Sequence, residues 1–319
     1  MLIDPRLTEA LATVTVAADG SAAQVGDQKI TAEDPRELRG SLALLLYRKL
    51  HSGAAPPPAD ATMMPRKRHD GQFEDELHDA VPHRFTPSRG LLIGLDGDDM
   101  IVRLPEITAR VPRERYAGIG EPRPGEIAEV LLDSRRPNVS PGFYYVMGSR
   151  HHSDAQAQVR RLFVHIEDSR YAPEIWHRAL DHLERTEAGY HAKVLSDRSA
   201  YPRRDALVVY LTGAPAAAEQ DLADALDGLP GVASDVSAYT ERYRPGISGA
   251  DDPVDDRPGQ SGLSFGQHRS TALATALIEH ATTPGAPARD DVIARHFRAA
   301  RIDPRRPARN LRAEDLTHV

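Results

Sequence analysis

The spacing of apolar residues along this 319-residue chain changes from the period of a helix to the period of strands, and then alternates between the two. Within 34–52, four leucines recur at helical spacing after Asp34, a residue suited to capping a helix. From residue 88 onward, short apolar runs separated by Gly, Asp and Pro indicate strands. We therefore predict an α+β fold, with a mixed, mainly antiparallel sheet and flanking helices.

The pattern also gives the individual elements. A hairpin is predicted where two apolar runs, 91–95 and 100–104, flank an Asp-Gly-Asp-Asp turn. Further strands are predicted at 126–132, 143–149, 160–167, 190–196 and 205–211. Further helices are predicted at 172–188, 215–229, 264–281 and 290–300. Two segments lack an apolar period: 53–65, a proline-rich loop, and 244–262, a long loop that we expect to act as a lid over a peptide site.

The length suggests about two domains. We expect an N-terminal helical and β-hairpin region over 1–140, packed on a C-terminal region over 141–285. The remaining segment, 286–319, is rich in Arg and Pro and is expected to pack loosely.

Composition excludes several classes of function. The chain has no cysteine, which removes disulfides, thiolate nucleophiles and Cys-ligated metals. Its net charge of −7 argues against a nucleic acid or an anionic membrane as partner. The acidic stretch within 251–256 fits no EF-hand spacing, so neither a metal nor a cofactor is expected. The first residues lack a cationic leader before an apolar block, which favours a cytoplasmic protein.

Three segments of the second half resemble the HopA effector-like family. They are YHAKVLSDRSAYPRRDALVVYL (190–211), RYRPGISGADDP (242–253) and SFGQHRSTALATALIEHA (264–281). Two earlier segments are similar to further blocks of that family, LRGSLALLLYRKLHSG (38–53) and NVSPGFYYVMGSR (138–150). The family includes effectors of plant-pathogenic bacteria, and actinobacterial relatives lie in biosynthetic clusters for lanthipeptides and thioamitides.

This resemblance implies a lyase that acts after a separate kinase similar to aminoglycoside phosphotransferases. The kinase would phosphorylate Ser or Thr of a ribosomal precursor peptide. The lyase would then eliminate phosphate and leave dehydroalanine or dehydrobutyrine. We expect the two proteins to form a hetero-oligomer through the apolar helix around Leu42 to Leu46. The alternative is a non-catalytic effector-like module that recognises a leader peptide or the kinase.

Lys193 is the predicted base for this elimination. It is one of only four lysines among 40 basic residues, and it lies inside an apolar strand. Desolvation there would favour the neutral amine, a state that arginine does not reach. A lysine at this position would also suit two other roles, namely pairing with a carboxylate or binding phosphate as a cation.

Candidate acids are histidines near that strand. His191 stands two residues before Lys193 and so shares its face, ~7 Å away. His165 on a neighbouring strand and His268 at a helix start are alternatives, and His268 is also a candidate for binding phosphate. Tyr210 is a candidate donor to the developing oxyanion.

Arginines are the predicted phosphate ligands, because a guanidinium makes two parallel hydrogen bonds to a phosphate. Arg203 and Arg204 open a strand and face opposite ways, so only one should reach the site, oriented by Asp205. Arg269 lies at a helix start, where backbone N–H groups also favour an anion.

Overall fold

The computed structural model describes residues 2–55, 70–104, 107–137, 139–150, 158–186, 189–213 and 217–311. Its α-helices are α1 (Pro5–Ala10), α2 (Pro35–Leu46), α3 (Gly71–Asp79), α4 (Ala172–Arg185), α5 (Ala218–Leu226), α6 (Phe265–Thr282) and α7 (Arg289–Ala299). A π-helical turn, Tyr47–Ser52, continues α2. The strands are β1 (Val14–Val16), β2 (Ala22–Val25), β3 (Gln28–Thr31), β4 (Phe85–Asp96), β5 (Asp99–Arg103), β6 (Thr108–Pro112), β7 (Ile127–Asp133), β8 (Phe143–Met147), β9 (Val159–Ile166), β10 (Gly189–Leu195), β11 (Arg203–Thr212), β12 (Glu241–Arg244) and β13 (Ile247–Asp251).

A six-stranded antiparallel sheet forms the centre of the molecule, in the order β12-β13-β9-β11-β10-β8. Helices α3, α4 and α5 contribute to one core on the first face of this sheet. Helices α2, α6 and α7 and the π-helical turn contribute to a second core that includes side chains of the opposite face. The predicted α+β fold with mainly antiparallel sheets and flanking helices is therefore confirmed.

Local sequence accounts for the elements that face these cores. In α4, Ile175, Trp176, Ala179 and Leu183 recur every three or four residues, and all four are buried. Strand β11 is covered on both faces, so its sequence is an almost continuous apolar run. Helix α2 begins after Asp34, whose carboxylate accepts from the backbone N–H groups of Arg36 and Glu37, as the sequence predicted.

The prediction of a loop over 244–262 is wrong for residues 244–251, which belong to β12, β13 and the turn between them. Strand β13 lies inside the central sheet between β12 and β9, and all five of its residues are buried. It shows no apolar period because it consists largely of small residues. Position 249 requires glycine, because a Cβ there would overlap the ring of Tyr243. Only residues 252–263 remain a loop.

The C-terminal segment is also packed more tightly than predicted. The predicted helix over 290–300 is confirmed as α7, and it packs against α6. Beyond it, Ile302 and Ala308 are buried in the same core. Asn310 then donates from its backbone N–H to Asp251 and accepts from Arg269. The segment up to residue 311 is thus part of the folded unit.

The predicted N-terminal region is distributed between two places. Helices α1 and α2 and the β1-β2-β3 sheet share a core with α6 and α7. Strands β4 to β7 instead form a four-stranded antiparallel sheet, in the order β6-β5-β4-β7, around a core of six buried residues. This sheet contains the predicted hairpin, as β4 and β5. Most of the predicted loop 53–65 lies outside the described residues.

The leucines proposed to bind the kinase are not available on the surface. Leu42, Leu45 and Leu46 are buried in the protein's own core, and only Leu44 on this turn is exposed. The apolar spacing of α2 is explained by contact with α6.

Among the helices in the described part of the chain, none is long and apolar enough to span a membrane.

Candidate functional site

A cavity of about 550 Å³ opens on the face of the central sheet that packs against α6. Strands β9, β10 and β11 form its floor, and the π-helical turn, the segment 139–143 and the loop 252–263 form its walls. The first turn of α6 closes one end. Its charged and aromatic lining consists of Tyr47, His51, Phe143, Arg161, Phe163, Lys193, Asp205, Tyr210, Asp252, Asp255 and Phe265.

Lys193 lines this cavity. Its ammonium donates to the Ser140 hydroxyl at 3.1 Å. It also lies 4.4 Å from the centre of the Phe143 ring and 5.8 Å from that of Tyr210. Within the described ranges, no carboxylate lies within 4.0 Å of the Lys193 ammonium. The ring faces attract a cation, so Lys193 presents a positive charge that no described acid neutralises.

Tyr210 lines the cavity at the centre of a stack that crosses four strands. The Arg161 guanidinium lies over one face of its ring at 4.7 Å, and the His191 ring is stacked with it at 4.3 Å. Tyr145 continues the stack beyond His191. His191 therefore shares the face of Lys193, as predicted, but it stands outside the cavity lining. Arg161, which sequence reasoning did not single out, pairs with Asp252 at the cavity wall.

A buried polar cluster surrounds Asp205 at the floor of the cavity. Arg203 donates to both carboxylate oxygens of Asp205, at 2.8 and 2.7 Å, and to the hydroxyl of Tyr47 at 2.9 Å. The Tyr47 hydroxyl in turn donates to Asp205 at 3.1 Å. Burial alone would raise the pKa of Asp205, but the Arg203 guanidinium holds it well below its usual range. Asp205 thus holds Arg203 by two hydrogen bonds and neutralises its charge, and Arg203, a predicted phosphate ligand, does not line the cavity.

His51, on the π-helical turn, is a second buried titratable group that lines the cavity. Burial lowers its pKa to about 4, so the ring is neutral near pH 7. Its Nδ1 lies 3.0 Å from the Ser237 hydroxyl, and its Nε2 lies 3.8 Å from the Asp205 carboxylate. An Nε2–H facing that carboxylate is the favourable tautomer, with Nδ1 accepting from Ser237.

The first turn of α6 faces the cavity because glycine occupies position 266. A Cβ there would overlap the rings of His51 and Tyr47. Ser264 and Gln267 form a capping box, with the Ser264 backbone N–H donating to the Gln267 side chain at 2.9 Å. The N-terminus of a helix carries partial positive charge, so this end of the cavity favours an anion.

Two predicted phosphate ligands, His268 and Arg269, lie behind the cavity wall. Arg269 is fully buried and donates to His268 Nδ1, the Pro307 carbonyl and the Asn310 side chain. Because arginine can only donate, His268 must carry its proton on Nε2, which donates to Asp255 at 2.8 Å. Burial, reinforced by the Arg269 charge, lowers the pKa of His268 to about 4. Neither residue lines the cavity, whereas Asp255 does.

The remaining candidates, His165 and Arg204, are held together by Asp235. His165 Nδ1 lies 2.8 Å and Arg204 Nε 2.6 Å from that carboxylate. Arg204 also donates to the Lys49 carbonyl. Neither side chain lines the cavity. The register of β11 is irregular between Arg203 and Leu207, so strict alternation fails there and both arginines reach the π-helical turn.

Sequence reasoning did not single out Tyr47 and His51 among the site residues. A usable signal existed, since residues four apart share one face of a helix and both lie within the family-like block 38–53. For Asp252 and Asp255, the sequence showed only an acidic stretch. The tertiary structure shows that Asp252 pairs with Arg161. It also shows that Asp255 pairs with Arg257 and His268. The described residues contain no cluster of His, Asp and Glu arranged to hold a metal ion.

The fold and site define an α+β protein with a polar cavity on one face of an antiparallel sheet. The model of the HopA1 effector protein family matches residues 134–309, which is more than half of the chain. The chain therefore belongs to the HopA1 effector protein family.

Two solved structures of Pseudomonas syringae effector proteins are similar to this chain. The one from pv. tomato strain DC3000 is 14% identical, with a TM-score of 0.49. The one from pv. syringae strain 61 is 13% identical, also with a TM-score of 0.49. Each alignment covers 87% of this chain and 96% of the effector. The search of curated proteins found no match.

Proposed function

We propose that this protein is a lyase that eliminates phosphate from phosphoserine or phosphothreonine of a ribosomal precursor peptide. A base removes the α-proton, the bond between the β-carbon and the phosphate oxygen breaks, and dehydroalanine or dehydrobutyrine remains. The reaction needs a base, a donor to the carbonyl oxygen and cations for the phosphate.

The environment of Lys193 is the observation that most supports this proposal. The Lys193 ammonium enters the cavity with a hydroxyl and two aromatic rings around it, and no described carboxylate pairs with it. A cavity with an unneutralised cation and the first turn of α6 suits a dianionic phosphate. Arg161, although paired with Asp252, adds a guanidinium as a second cationic group in the cavity lining.

In this proposal, different residues have different roles in the reaction. The first turn of α6 and Arg161 bind the phosphate, and Lys193 acts at the α-carbon or on the departing phosphate. The Tyr210 hydroxyl donates to the carbonyl oxygen as negative charge develops there. His191 supports Tyr210 by stacking on its ring. Arg203 acts indirectly by fixing Asp205 and Tyr47.

A mass-spectrometric assay tests the proposal. Synthetic peptides with phosphoserine or phosphothreonine are incubated with the protein, beside identical unphosphorylated peptides. We expect each phosphorylated site to lose one phosphoric acid, while the unphosphorylated peptides stay unchanged. Stable phosphopeptides under all conditions, or dehydration of the unphosphorylated peptides, would refute the lyase function.

Membership of an effector family supports a second candidate function. In that case the protein is a non-catalytic module that binds a leader peptide or the partner kinase, and the cavity holds a phosphopeptide without converting it. The two functions share binding and differ in turnover, so affinity measured beside product formation separates them. In both, we propose a separate aminoglycoside-phosphotransferase-like kinase as partner, bound through a surface other than the buried leucines of α2.

A further inference from the structure

The wall of the cavity next to Lys193 is apolar and open to water. Val139 lines the cavity and is 58% exposed. Pro141 is also exposed, and the ring of Phe143 lies against the Lys193 ammonium. Between them, Ser140 bonds Lys193 directly, so this apolar wall stands beside the reacting position of the proposed lyase.

A further apolar side chain reaches the same cavity from the loop before α6. Leu263 lines it and is only partly buried. A single exposed aliphatic residue is ordinary on a protein surface, but these residues come from separate segments and line one cavity. Water contact with them is unfavourable, and a ligand that covers them removes it.

The size of the cavity also indicates a ligand larger than one phosphorylated side chain. A volume of about 550 Å³ lies within the range of ~300–1,000 Å³ that holds a drug-sized molecule. A phosphorylated Ser or Thr side chain is much smaller than that. The charged lining groups come from β9, β10, β11 and the loop 252–263. The segment 139–143 contributes none, which leaves it for another part of the substrate.

We propose that the cavity takes the phosphorylated residue together with an apolar side chain next to it in the same peptide, which packs on Val139, Pro141 and Leu263. This inference rests on the proposed function for the identity of the substrate. The preferred substrate is therefore a phosphopeptide with an apolar residue next to the phosphorylated one.

The test compares two phosphothreonine peptides that differ only in the flanking residues, Leu in one and Ser in the other. Their affinities are measured by fluorescence anisotropy with the wild type, with Val139→Asp and with Val254→Asp. Val254 is the matched control, because it is 49% exposed yet does not belong to the cavity lining. Product formation is followed in parallel by mass spectrometry.

We expect the wild type and Val254→Asp to bind the Leu peptide about tenfold more tightly, the effect of covering part of one aliphatic side chain. Val139→Asp should lose this preference. Equal affinities in the wild type, or the same loss in both variants, would overturn the inference. Preference without product formation would leave the inference standing and refute the lyase. Product formation without a preference for the Leu peptide would overturn the inference and leave the lyase function standing.

Discussion

At Lys193, two roles make different demands on the side chain. A base must give up its proton to become an amine, whereas a phosphate ligand needs only a lasting positive charge. The surroundings favour the second role, since the Phe143 and Tyr210 rings attract a cation and Ser140 accepts from it. The strand position favours the first, since it places the group inside the cavity with no described acid beside it.

The substitution Lys193→Arg separates these roles. Arginine keeps the charge but does not deprotonate, so a base role predicts retained phosphopeptide binding with elimination reduced by several orders of magnitude. A purely phosphate-binding role predicts elimination within about tenfold of the wild type, which is a barrier change of ~1.4 kcal/mol. Single-turnover elimination is measured beside phosphopeptide affinity. Lys193→Ala does not distinguish the roles, because it removes both the charge and the base.

The two buried histidines at the cavity make stability depend on pH. Burial lowers the pKa of both His51 and His268 to about 4, while an unfolded histidine titrates near 6.5. Between these values the unfolded chain takes up protons that the folded chain does not, so the free energy of unfolding falls as the pH falls. Each histidine contributes on the order of 3 kcal/mol above pH 6.5, and this is lost toward pH 4.

Urea unfolding at a series of pH values checks this prediction. His268→Gln should flatten the decline between pH 6.5 and 4 by about one proton. The exposed His177, changed to Gln in the same way, is the control. A free energy of unfolding that rises as the pH falls through this window would contradict the prediction. Below pH 4, protonation of Asp205 and Asp255, whose pKa values are lowered by their partners, should extend the loss.

At the scale of the elements, the contact between α6 and the π-helical turn depends on Gly266. Inside a helix, Gly→Ala normally stabilises by ~0.5–1 kcal/mol. At position 266 the added methyl group would overlap the His51 and Tyr47 rings, so we expect Gly266→Ala to destabilise by ~1–3 kcal/mol. It should also disturb the cavity, because both rings line it.

Gly40→Ala is the matched control for this experiment. Gly40 is an exposed glycine in α2 with open space where a Cβ would stand, so this variant should gain stability. The free energy of unfolding of both variants is measured by chemical denaturation. Equal gains at both positions would show that α6 does not approach the turn as closely as the structure indicates.

At the scale of the whole molecule, the hydrophobic cores differ greatly in size. The cores on the two faces of the central sheet each contain many buried residues, whereas the four-stranded sheet β4–β7 is held by six. Ile93, Leu95 and Ile127 of that sheet remain exposed. The small sheet therefore has less burial to oppose local opening.

Hydrogen exchange measures this difference directly. We expect the backbone amides of β4 to β7 to exchange before those of β9 and β11, which lie in the middle of the central sheet. Peptide-resolved mass spectrometry after a time course in heavy water gives the order. Protection of β4–β7 equal to that of β11 would mean that both sheets open as one cooperative unit.

The amino-acid sequence by itself determined the elements whose local pattern is clear, among them the amphipathic helix α4 and the apolar runs of β9 and β11. It also placed Lys193 and His191 on one face of a strand, because side chains alternate along any strand. The motifs it shows fall mainly within the segment that the family model matches. These properties are local, so neighbouring residues along the chain suffice to specify them.

Only the tertiary structure decided that β13 belongs to the central sheet and that Arg269 is buried. A strand of small residues has no apolar period, and its burial depends on pairing with a strand distant in the chain, β9. Likewise, an arginine at a helix start binds an anion or bonds within the protein according to what packs over it, here Pro307 and Asn310. The cavity joins residues from Tyr47 to Gln267, and no local pattern records such contacts because they form only when the chain folds.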